Sequence, residues 1–284
     1  MFSLKLPDKF YRWINSLKQS LSEQLLEMPP QNSETTIQES LTPPQDSEIN
    51  IQAKLFASPA PINEKFPRVR VNSLVHPIAI KGSDFHDCKI IDDDHFLLFV
   101  SDIASCGTIA ALFMTLMHTL IKSDADTDIA TLFADINNLL CENNDSEMFV
   151  TAAAVCHEIS SGKLIYVNAG HAAPLIVHAN GETEFLKERS EATLGVRKNI
   201  SYRAFETKLQ AGDLLILYTD GVTDALNERE ECYSEQRLAQ LISRLMRKGK
   251  SEYFTVELRR DVARFVGNRV QSDDITVVTL KILD

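Results

Sequence analysis

Hydrophobic residues recur at three- and four-residue spacing near the start of the chain, which is the spacing of one helix face. This stripe predicts a short amphipathic helix within residues 1–28, formed by Phe10, Ile14, Leu17, Leu21, Leu25 and Met28. Residues 29–50 carry four prolines and many Ser, Thr, Gln and Glu side chains. Because such a segment buries too little apolar surface to offset its ordering entropy, we expect a flexible linker.

Residues 51–284 show the patterns of a globular domain. A strand is predicted at Arg68–Ile80 with a break at Pro77, and a hairpin is predicted around a turn at 92–94. Helical patterns lie at Thr108–Lys122, Thr127–Cys141, 235–247 and 252–266, and strand-like runs lie at 148–157, 163–168, 174–178, 202–208, 213–219 and Ile275–Ile282. Because strands come in runs and helices in pairs, the order favours mixed or antiparallel sheets over βαβ winding.

Charge and composition exclude several classes of protein. Asp and Glu total 40 against 29 Lys and Arg, for a net charge of -11. This balance argues against a nucleic-acid binder and against an anionic membrane surface as partner. No apolar run is long enough to predict a membrane-spanning helix. The five cysteines form no C-x-x-C pair, so we expect neither a disulfide framework nor structural zinc, and a reducing cytoplasmic location.

Four acidic positions interrupt or end segments that are otherwise apolar. Asp84 follows the predicted first strand, Asp102 ends an apolar strand before a helix, and Asp220 ends another apolar strand. Asp273 and its neighbour Asp274 come directly before the last strand. A single such Asp has an ordinary explanation as a helix cap or turn residue. If the strands share sheets, however, the four acids can gather at one end.

Clustered and buried carboxylates repel one another unless cations neutralise them. Oxygen-rich sites suit Mg²⁺ or Mn²⁺, whereas the His and Cys spacing of a zinc site is absent from the sequence. Two such ions about 4 Å apart can activate a water and clamp a phosphoryl oxygen. The pattern therefore points to hydrolysis of a phosphate ester.

Five segments resemble successive motifs of the PPM-type metal-dependent Ser/Thr protein phosphatases, in particular the bacterial SpoIIE/RsbU branch. Their order and spacing match from Ile51 to the C-terminus, and the segments are Gly82–Asp87, Val100–Gly107, Asn168–Pro174, Gly212–Asp224 and Ser272–Thr276. The resemblance implies an α+β fold, an α-β-β-α sandwich of two antiparallel sheets flanked by helices, preceded here by the N-terminal helix and linker.

The resemblance also implies a site with two Mn²⁺ or Mg²⁺ ions. By motif, the metal-binding acids and catalytic residues are Asp84, Asp102, Asp220 and Asp273, and the backbone carbonyl of Ile103 contacts metal. Of the adjacent pair at 273 and 274, the first is the preferred ligand. Gly221 permits close approach of backbone to the site.

Some positions depart from the family pattern or lie beside it. Ser83 and Ser101 stand where the family has glycines, and Cys106 lies in the loop that follows. No ligand acid is lost, so an active enzyme with altered recognition or regulation is expected. For His86 a solvent-facing position is preferred over contact with substrate phosphate, and for His171 both a structural loop role and a hydrogen bond behind the site stay open.

The leading hypothesis is a protein serine/threonine phosphatase acting through a two-metal-activated water. The resemblance implies a phosphorylated regulatory protein as substrate, such as an anti-sigma-factor antagonist in a partner-switching pathway. The alternative is a catalytically weak or inactive regulatory module that kept the fold. A third idea, a nucleotide-cyclase signature at Gly82–Phe85, does not fit the downstream motifs. Three roles stay open for the N-terminal helix: packing on its own domain, joining two copies of the chain, or docking an upstream sensor.

Overall fold

The computed structural model describes residues 58–77, 83–104, 108–123, 128–142, 148–188, 192–271 and 273–283. The predicted N-terminal helix (1–28) and linker (29–50) lie outside the described residues, and so does Cys106. The boundary of the predicted domain at residue 51 also lies outside them and stays a prediction.

The described part of the chain contains ten strands. They are β1 (Val69–His76), β2 (Asp84–Ile90), β3 (His95–Ile103), β4 (Val150–Glu158), β5 (Lys163–Ala169), β6 (Leu175–Val177), β7 (Thr183–Phe185), β8 (Phe205–Lys208), β9 (Leu214–Tyr218) and β10 (Ile275–Ile282). One five-stranded sheet has the order β1-β10-β9-β6-β7, and the other has the order β2-β3-β4-β5-β8. Every pair of neighbouring strands is antiparallel.

The described residues also form five α-helices, four of which cover the outer faces of the two sheets. They are α1 (Ala60–Lys65), α2 (Thr108–Ser123), α3 (Ile129–Glu142), α4 (Glu235–Arg247) and α5 (Phe254–Val266), with a 3₁₀ turn at Ser251–Tyr253. The pair α2 and α3 lies against the sheet that contains β2, β4 and β5, whereas α4 and α5 lie against the sheet that contains β1 and β6. The predicted α-β-β-α sandwich of two antiparallel sheets is therefore confirmed.

Strand β9 shows why its sequence is apolar at every position. Leu215 and Leu217 belong to the core between the two sheets. Leu214, Ile216 and Tyr218 point to the other face, where they pack in the core formed with α4 and α5. Because both faces are covered, all five residues are buried. Full burial of each aliphatic side chain contributes about 1.5–3 kcal/mol. This packing holds the end of β9 in place and therefore sets the position of Asp220, two residues beyond the strand.

Most predicted elements are confirmed within a few residues, but three were missed or misplaced. Strand β1 ends at His76, directly before Pro77, as predicted. The short elements α1 and β7 were not predicted. Strand β2 begins at Asp84, so Asp84 follows β1 as predicted but also starts a strand whose first residues were not predicted. Its first five residues are all buried, including polar ones, and this removes the alternation by which a strand is recognised.

The acidic turn at 92–94 is a hairpin turn, as predicted. Asp92 Oδ1 accepts hydrogen bonds from the backbone N–H of Asp94 and of His95, both at 2.7 Å. The Asp94 carboxylate accepts bonds from the backbone N–H and the hydroxyl of Ser160, at 2.8 and 2.5 Å. These acids thus close the β2–β3 connection.

Two further expectations concern the chain as a whole. None of the four described cysteines, which are Cys88, Cys141, Cys156 and Cys232, forms a disulfide. Within the described ranges, no helix has the length and hydrophobicity needed to cross a lipid bilayer.

Candidate active site and metal centre

Acidic residues from both sheets meet at one edge of the sandwich. Asp84, at the start of β2, stands opposite Asp102, near the end of β3, in the antiparallel register. Strands β9 and β10 are also antiparallel, with Tyr218 opposite Val277. The end of β9 and the start of β10 therefore share an edge, and this brings Asp220 and Asp273 together.

Three of the four predicted acids form one group. Carboxylate oxygens of Asp102, Asp220 and Asp273 all lie within 4.8 Å of one another. Asp220 is exposed and the other two are partly exposed, so the group is open to solvent on one side. Asp84 is not part of this group, and its side chain is buried. Ile103 follows Asp102 at the end of β3 with a buried side chain; the metal contact of its carbonyl stays a prediction.

Thr219 holds the buried carboxylate of Asp84 from the opposite sheet. Its hydroxyl donates to Asp84 Oδ2 at 2.8 Å and accepts the backbone N–H of Thr276 at 3.0 Å. The Thr219 N–H donates in turn to the Thr276 carbonyl at 3.0 Å. This residue was not predicted from the sequence, although it directly precedes Asp220. It links Asp84 to both β9 and β10.

The adjacent acids Asp273 and Asp274 have different surroundings. Asp273 belongs to the group of three, whereas Asp274 is buried and accepts the backbone N–H of Ser83 on its Oδ2 at 2.7 Å. The Ser83 carbonyl accepts the N–H of Ile103 at 3.2 Å. Asp274 thus ties the start of β10 to the segment that leads into β2.

Gly221 is required by its contact with the chain before β10. A Cβ atom at this position would lie 1.8 Å from the carbonyl oxygen of Asp274, much closer than two such atoms can approach. This close contact is with the backbone of Asp274; the predicted approach of the Gly221 backbone to the metal site stays a prediction. The two loops that carry Asp220 and Asp273 are in direct backbone contact only because this residue has no side chain.

The acids oppose one another's ionisation. Burial raises the pKa of Asp84 to about 8, against the stabilising hydrogen bond from Thr219. Burial, together with the negative charges of Asp220 and Asp273, raises the pKa of Asp102 to about 6. Burial and neighbouring acids also raise the pKa of Asp220 and that of Asp273. Ionising all four at neutral pH therefore requires a source of positive charge.

The residues present fit divalent cations. In the part of the chain that the structure describes, none of the four carboxylates has a Lys, Arg or His nitrogen within 4.0 Å. The donor set consists of carboxylate oxygens, which Mg²⁺ and Mn²⁺ prefer. Cations bound here would offset the repulsion that raises the pKa values.

The Asn168–His171 segment forms a tight turn close to Asp102. Asn168 Nδ2 donates to the carbonyl of His171 at 3.1 Å, and its Oδ1 accepts the His171 N–H at 2.8 Å. His171 Nδ1 lies 2.9 Å from the hydroxyl of Thr151, and Thr151 stands opposite Asp102 in the β3–β4 register. His171 therefore shapes the loop and also contacts the strand neighbour of a candidate ligand.

His86 does not face solvent. It is 3% exposed within β2, and burial lowers its pKa to about 4. The expectation of a solvent-facing histidine is wrong because both faces of β2 are covered at this position, and the same burial removes it from contact with a substrate phosphate.

A buried ion-pair cluster next to the site was missed by sequence reasoning. The Asp87 carboxylate is fully buried and lies 2.7 Å from His118 Nδ1 and 2.9 Å from Lys122 Nζ. Both partners lie on α2, one helical turn apart, whereas Asp87 lies on β2. The cluster thus fastens α2 to the strand that begins with Asp84.

The fold is that of the PP2C-type phosphatase domains. The SiaA-PP2C domain of Pseudomonas aeruginosa superposes with a TM-score of 0.70 at 21% identity, over 83% of this chain and 96% of that domain. The catalytic domain of the serine/threonine protein phosphatase PstP, solved with 2 manganese ions, superposes with a TM-score of 0.56 at 14% identity, over 76% of this chain and 99% of that domain.

The family follows from the sequence match. The model of the family described as Stage II sporulation protein E (SpoIIE) matches residues 92–283, and the chain belongs to this family. Protein IcfG of Synechocystis is 26% identical over 240 residues, which cover 74% of this chain and 37% of IcfG. Phosphoserine phosphatase RsbU of Bacillus subtilis is 25% identical over 151 residues, 52% of this chain and 44% of RsbU. The chain thus spans less than half the length of these curated relatives.

Proposed function

We propose that this protein is a metal-dependent protein serine/threonine phosphatase. The observation that carries the proposal is the group formed by Asp102, Asp220 and Asp273, whose oxygens lie within 4.8 Å of one another without a neutralising Lys, Arg or His among the described residues. The family and the relative named as a phosphoserine phosphatase support it. The substrate we propose is a phosphorylated regulatory protein, such as an anti-sigma-factor antagonist.

The chain's own residues would prepare the site. Asp102, Asp220 and Asp273 would hold Mn²⁺ or Mg²⁺, Asp84 would complete the set as the fourth acid, and the Ile103 carbonyl would add a backbone oxygen. Two such ions, when bound, supply an activated water and positive charge opposite the phosphoryl oxygens. We assign the neutralisation of substrate phosphate to these metal ions.

The remaining residues keep the ligands in place. The Thr219 hydroxyl donates to Asp84 and so favours its ionised form. Asp274 accepts the Ser83 N–H and orders the segment before β2. Gly221 lets the two acid-bearing loops touch. Loss of a residue that orients a metal ligand commonly lowers metal affinity about 10–100-fold.

The test compares Asp220→Asn with Asp93→Asn, a matched change at an exposed turn acid. With Mn²⁺ and p-nitrophenyl phosphate, and then with a phosphoserine peptide, we expect the wild type and Asp93→Asn to hydrolyse both substrates. Asp220→Asn should lose at least about a hundredfold in rate, as removal of a charge-stabilising group does. Hydrolysis that is indifferent to chelation and to Asp220→Asn would refute the proposal.

Titration calorimetry with Mn²⁺ distinguishes an active phosphatase from the alternative, an inactive regulatory module. Binding of Mn²⁺ that is weakened by Asp220→Asn, without any turnover, would support a metal-binding module that has lost catalysis. We further propose that the N-terminal helix joins two copies or docks an upstream sensor. Removal of residues 1–50, followed by measurement of mass and turnover, tests this role.

A further inference from the structure

A groove of about 750 Å³ lies between the edge strand β7 and helix α4. Thr183, Phe185 and Lys187 line one side, and residues of α4 and its C-terminal end line the other. The walls are held together because the Ser243 hydroxyl donates to the carbonyl of Gly181 at 2.6 Å. The groove is therefore a fixed feature of the fold.

The groove is basic in an acidic protein. Lys187, Arg244, Arg247 and Lys248 line it, and none of them has a carboxylate within 4.0 Å among the described residues. Other arginines on the neighbouring surface do have such partners, namely Arg237, Arg260, Arg264 and Arg269. Since the chain carries a net charge of -11, this cluster is a local reversal of sign that attracts an acidic partner.

The same groove borders an open strand edge. Strand β7 is the last strand of its sheet and pairs with β6. Glu182 O and Leu186 N bond toward the β6 side, so by the alternation of an antiparallel ladder the N–H and C=O groups of Thr183 and Phe185 point outward. An outward edge of this kind accepts an additional strand from another chain.

We propose that this groove binds an extended acidic segment of the phosphorylated substrate protein, which adds as a strand to β7. Its carboxylates would pair with Lys187, Arg244, Arg247 and Lys248. The identity of the partner as substrate rests on the proposed function. One end of the groove lies near the candidate site. Ser234, which precedes α4, donates its N–H to the carbonyl of Thr223 at 2.8 Å, and Thr223 follows Asp220 by three residues.

The length of α4 sets the geometry of docking. Its 13 residues extend about 20 Å at 1.5 Å per residue. Glu235 lines the groove near the site, whereas Arg244 and Arg247 lie about 15 Å farther along the helix. The acidic segment should therefore be separate in sequence from the phosphorylated residue, and it should affect substrate affinity rather than the chemical step.

Binding is tested with a fluorescein-labelled peptide of alternating glutamate and valine, followed by fluorescence anisotropy on the full chain. We expect Arg244→Glu/Arg247→Glu to weaken binding at least about tenfold, since four units of charge change at the contact. The control Arg70→Glu/Arg259→Glu changes net charge equally at two other exposed positions and should bind as the wild type does. A peptide with lysine in place of glutamate should not bind.

Three results would overturn the inference. The first is equal binding of the peptide by both double variants. The second is undiminished binding of an equally charged peptide that is interrupted by proline. The third is a dimer of the wild type that the groove variant, Arg244→Glu/Arg247→Glu, no longer forms, because a second copy of the chain would then be the occupant. With a phosphoserine peptide that carries the acidic segment, the groove variant should raise KM and leave kcat and the hydrolysis of p-nitrophenyl phosphate unchanged. Peptide binding without hydrolysis by any form would refute the proposed function alone.

Discussion

The buried Asp84 makes the stability of the metal-free protein fall as pH rises. In the unfolded chain Asp84 is ionised above its ordinary pKa of 3.8, whereas in the folded protein it stays protonated up to about pH 8. The folded state therefore holds one more proton in this interval, and the free energy of unfolding decreases with pH. Well below pH 8 each pH unit removes about 1.36 kcal/mol. The slope halves at the folded pKa, so from pH 6.5 to 8 the loss due to Asp84 is about 1.7 kcal/mol.

Comparison with an Asp84→Asn variant separates the contribution of Asp84 from those of other titratable groups. The pKa of Asp102 is raised only to about 6, so Asp102 is ionised in both states for most of the interval. His86, His157 and His171 have pKa values lowered to about 4 by burial. Because their ordinary pKa is 6.5, these histidines are half protonated in the unfolded chain at pH 6.5 and neutral in the folded protein. Raising the pH to 8 therefore stabilises the fold by about 1 kcal/mol in total. This effect is common to the wild type and Asp84→Asn, and it cancels in the difference between the two proteins.

The assay is urea unfolding of the chelated wild type and of Asp84→Asn at pH 6.5, 7.25 and 8. We expect the wild type to lose about 1.7 kcal/mol more than the variant over this range. Parallel pH profiles for the two proteins would refute the reasoning. Saturating Mn²⁺ should reverse the trend for the wild type, because protons compete with the cation for the carboxylates and the stabilisation by metal grows with pH.

Three substitutions test the supports of the site. Thr219→Val keeps the shape but removes the hydroxyl that donates to Asp84, and calorimetry should show Mn²⁺ affinity reduced about tenfold or more; unchanged affinity would contradict this role. Gly221→Ala should lower stability by about 3 kcal/mol because the added Cβ meets the Asp274 carbonyl, whereas Gly249→Ala, with open space but a φ of +64°, should cost only about 1 kcal/mol. Asp87→Asn should cost about 3 kcal/mol in urea unfolding, and a neutral result would show that its ion pairs contribute nothing.

Elements with a strong periodic pattern were predictable from the sequence. Helix α4 carries Leu238, Leu241, Ile242 and Leu245 on one face, and its bounds agree with the predicted 235–247. The last strand was likewise predicted at its observed bounds, Ile275–Ile282. In contrast, β7 has three residues, too few to show a period. Strand β2 was missed in part because polar residues are buried on it, and hydropathy cannot reveal burial that tertiary contacts impose.

The contacts that hold the acidic residues in place could not be predicted from the sequence, for a different reason. Thr219 and Asp84 are 135 residues apart, and Asp87 and His118 are 31 apart. Neither a lone Thr nor a lone His has a pattern that names its partner. The acids themselves were visible because each interrupts an apolar segment, and a carboxylate at such a place requires an explanation. Their convergence became visible only through the pairing of β2 with β3 and of β9 with β10.

Repulsion at the site and cohesion of the sandwich have to be considered together. Asp84 and Asp102 come from one sheet, and Asp220 and Asp273 follow or precede strands of the other, so mutual repulsion pushes the two sheets apart at this edge. Two contacts oppose that force between the sheets: Thr219 to Asp84, and Ser83 to Asp274. Cations bound among the acids would convert repulsion into attraction between the sheets. Metal binding should therefore stabilise the packing of the two sheets as well as prepare the chemistry. Hydrogen-exchange protection of Thr219 and Thr276 should rise on adding Mn²⁺ more than protection at Leu164, which stands opposite His157 at the other end of β4.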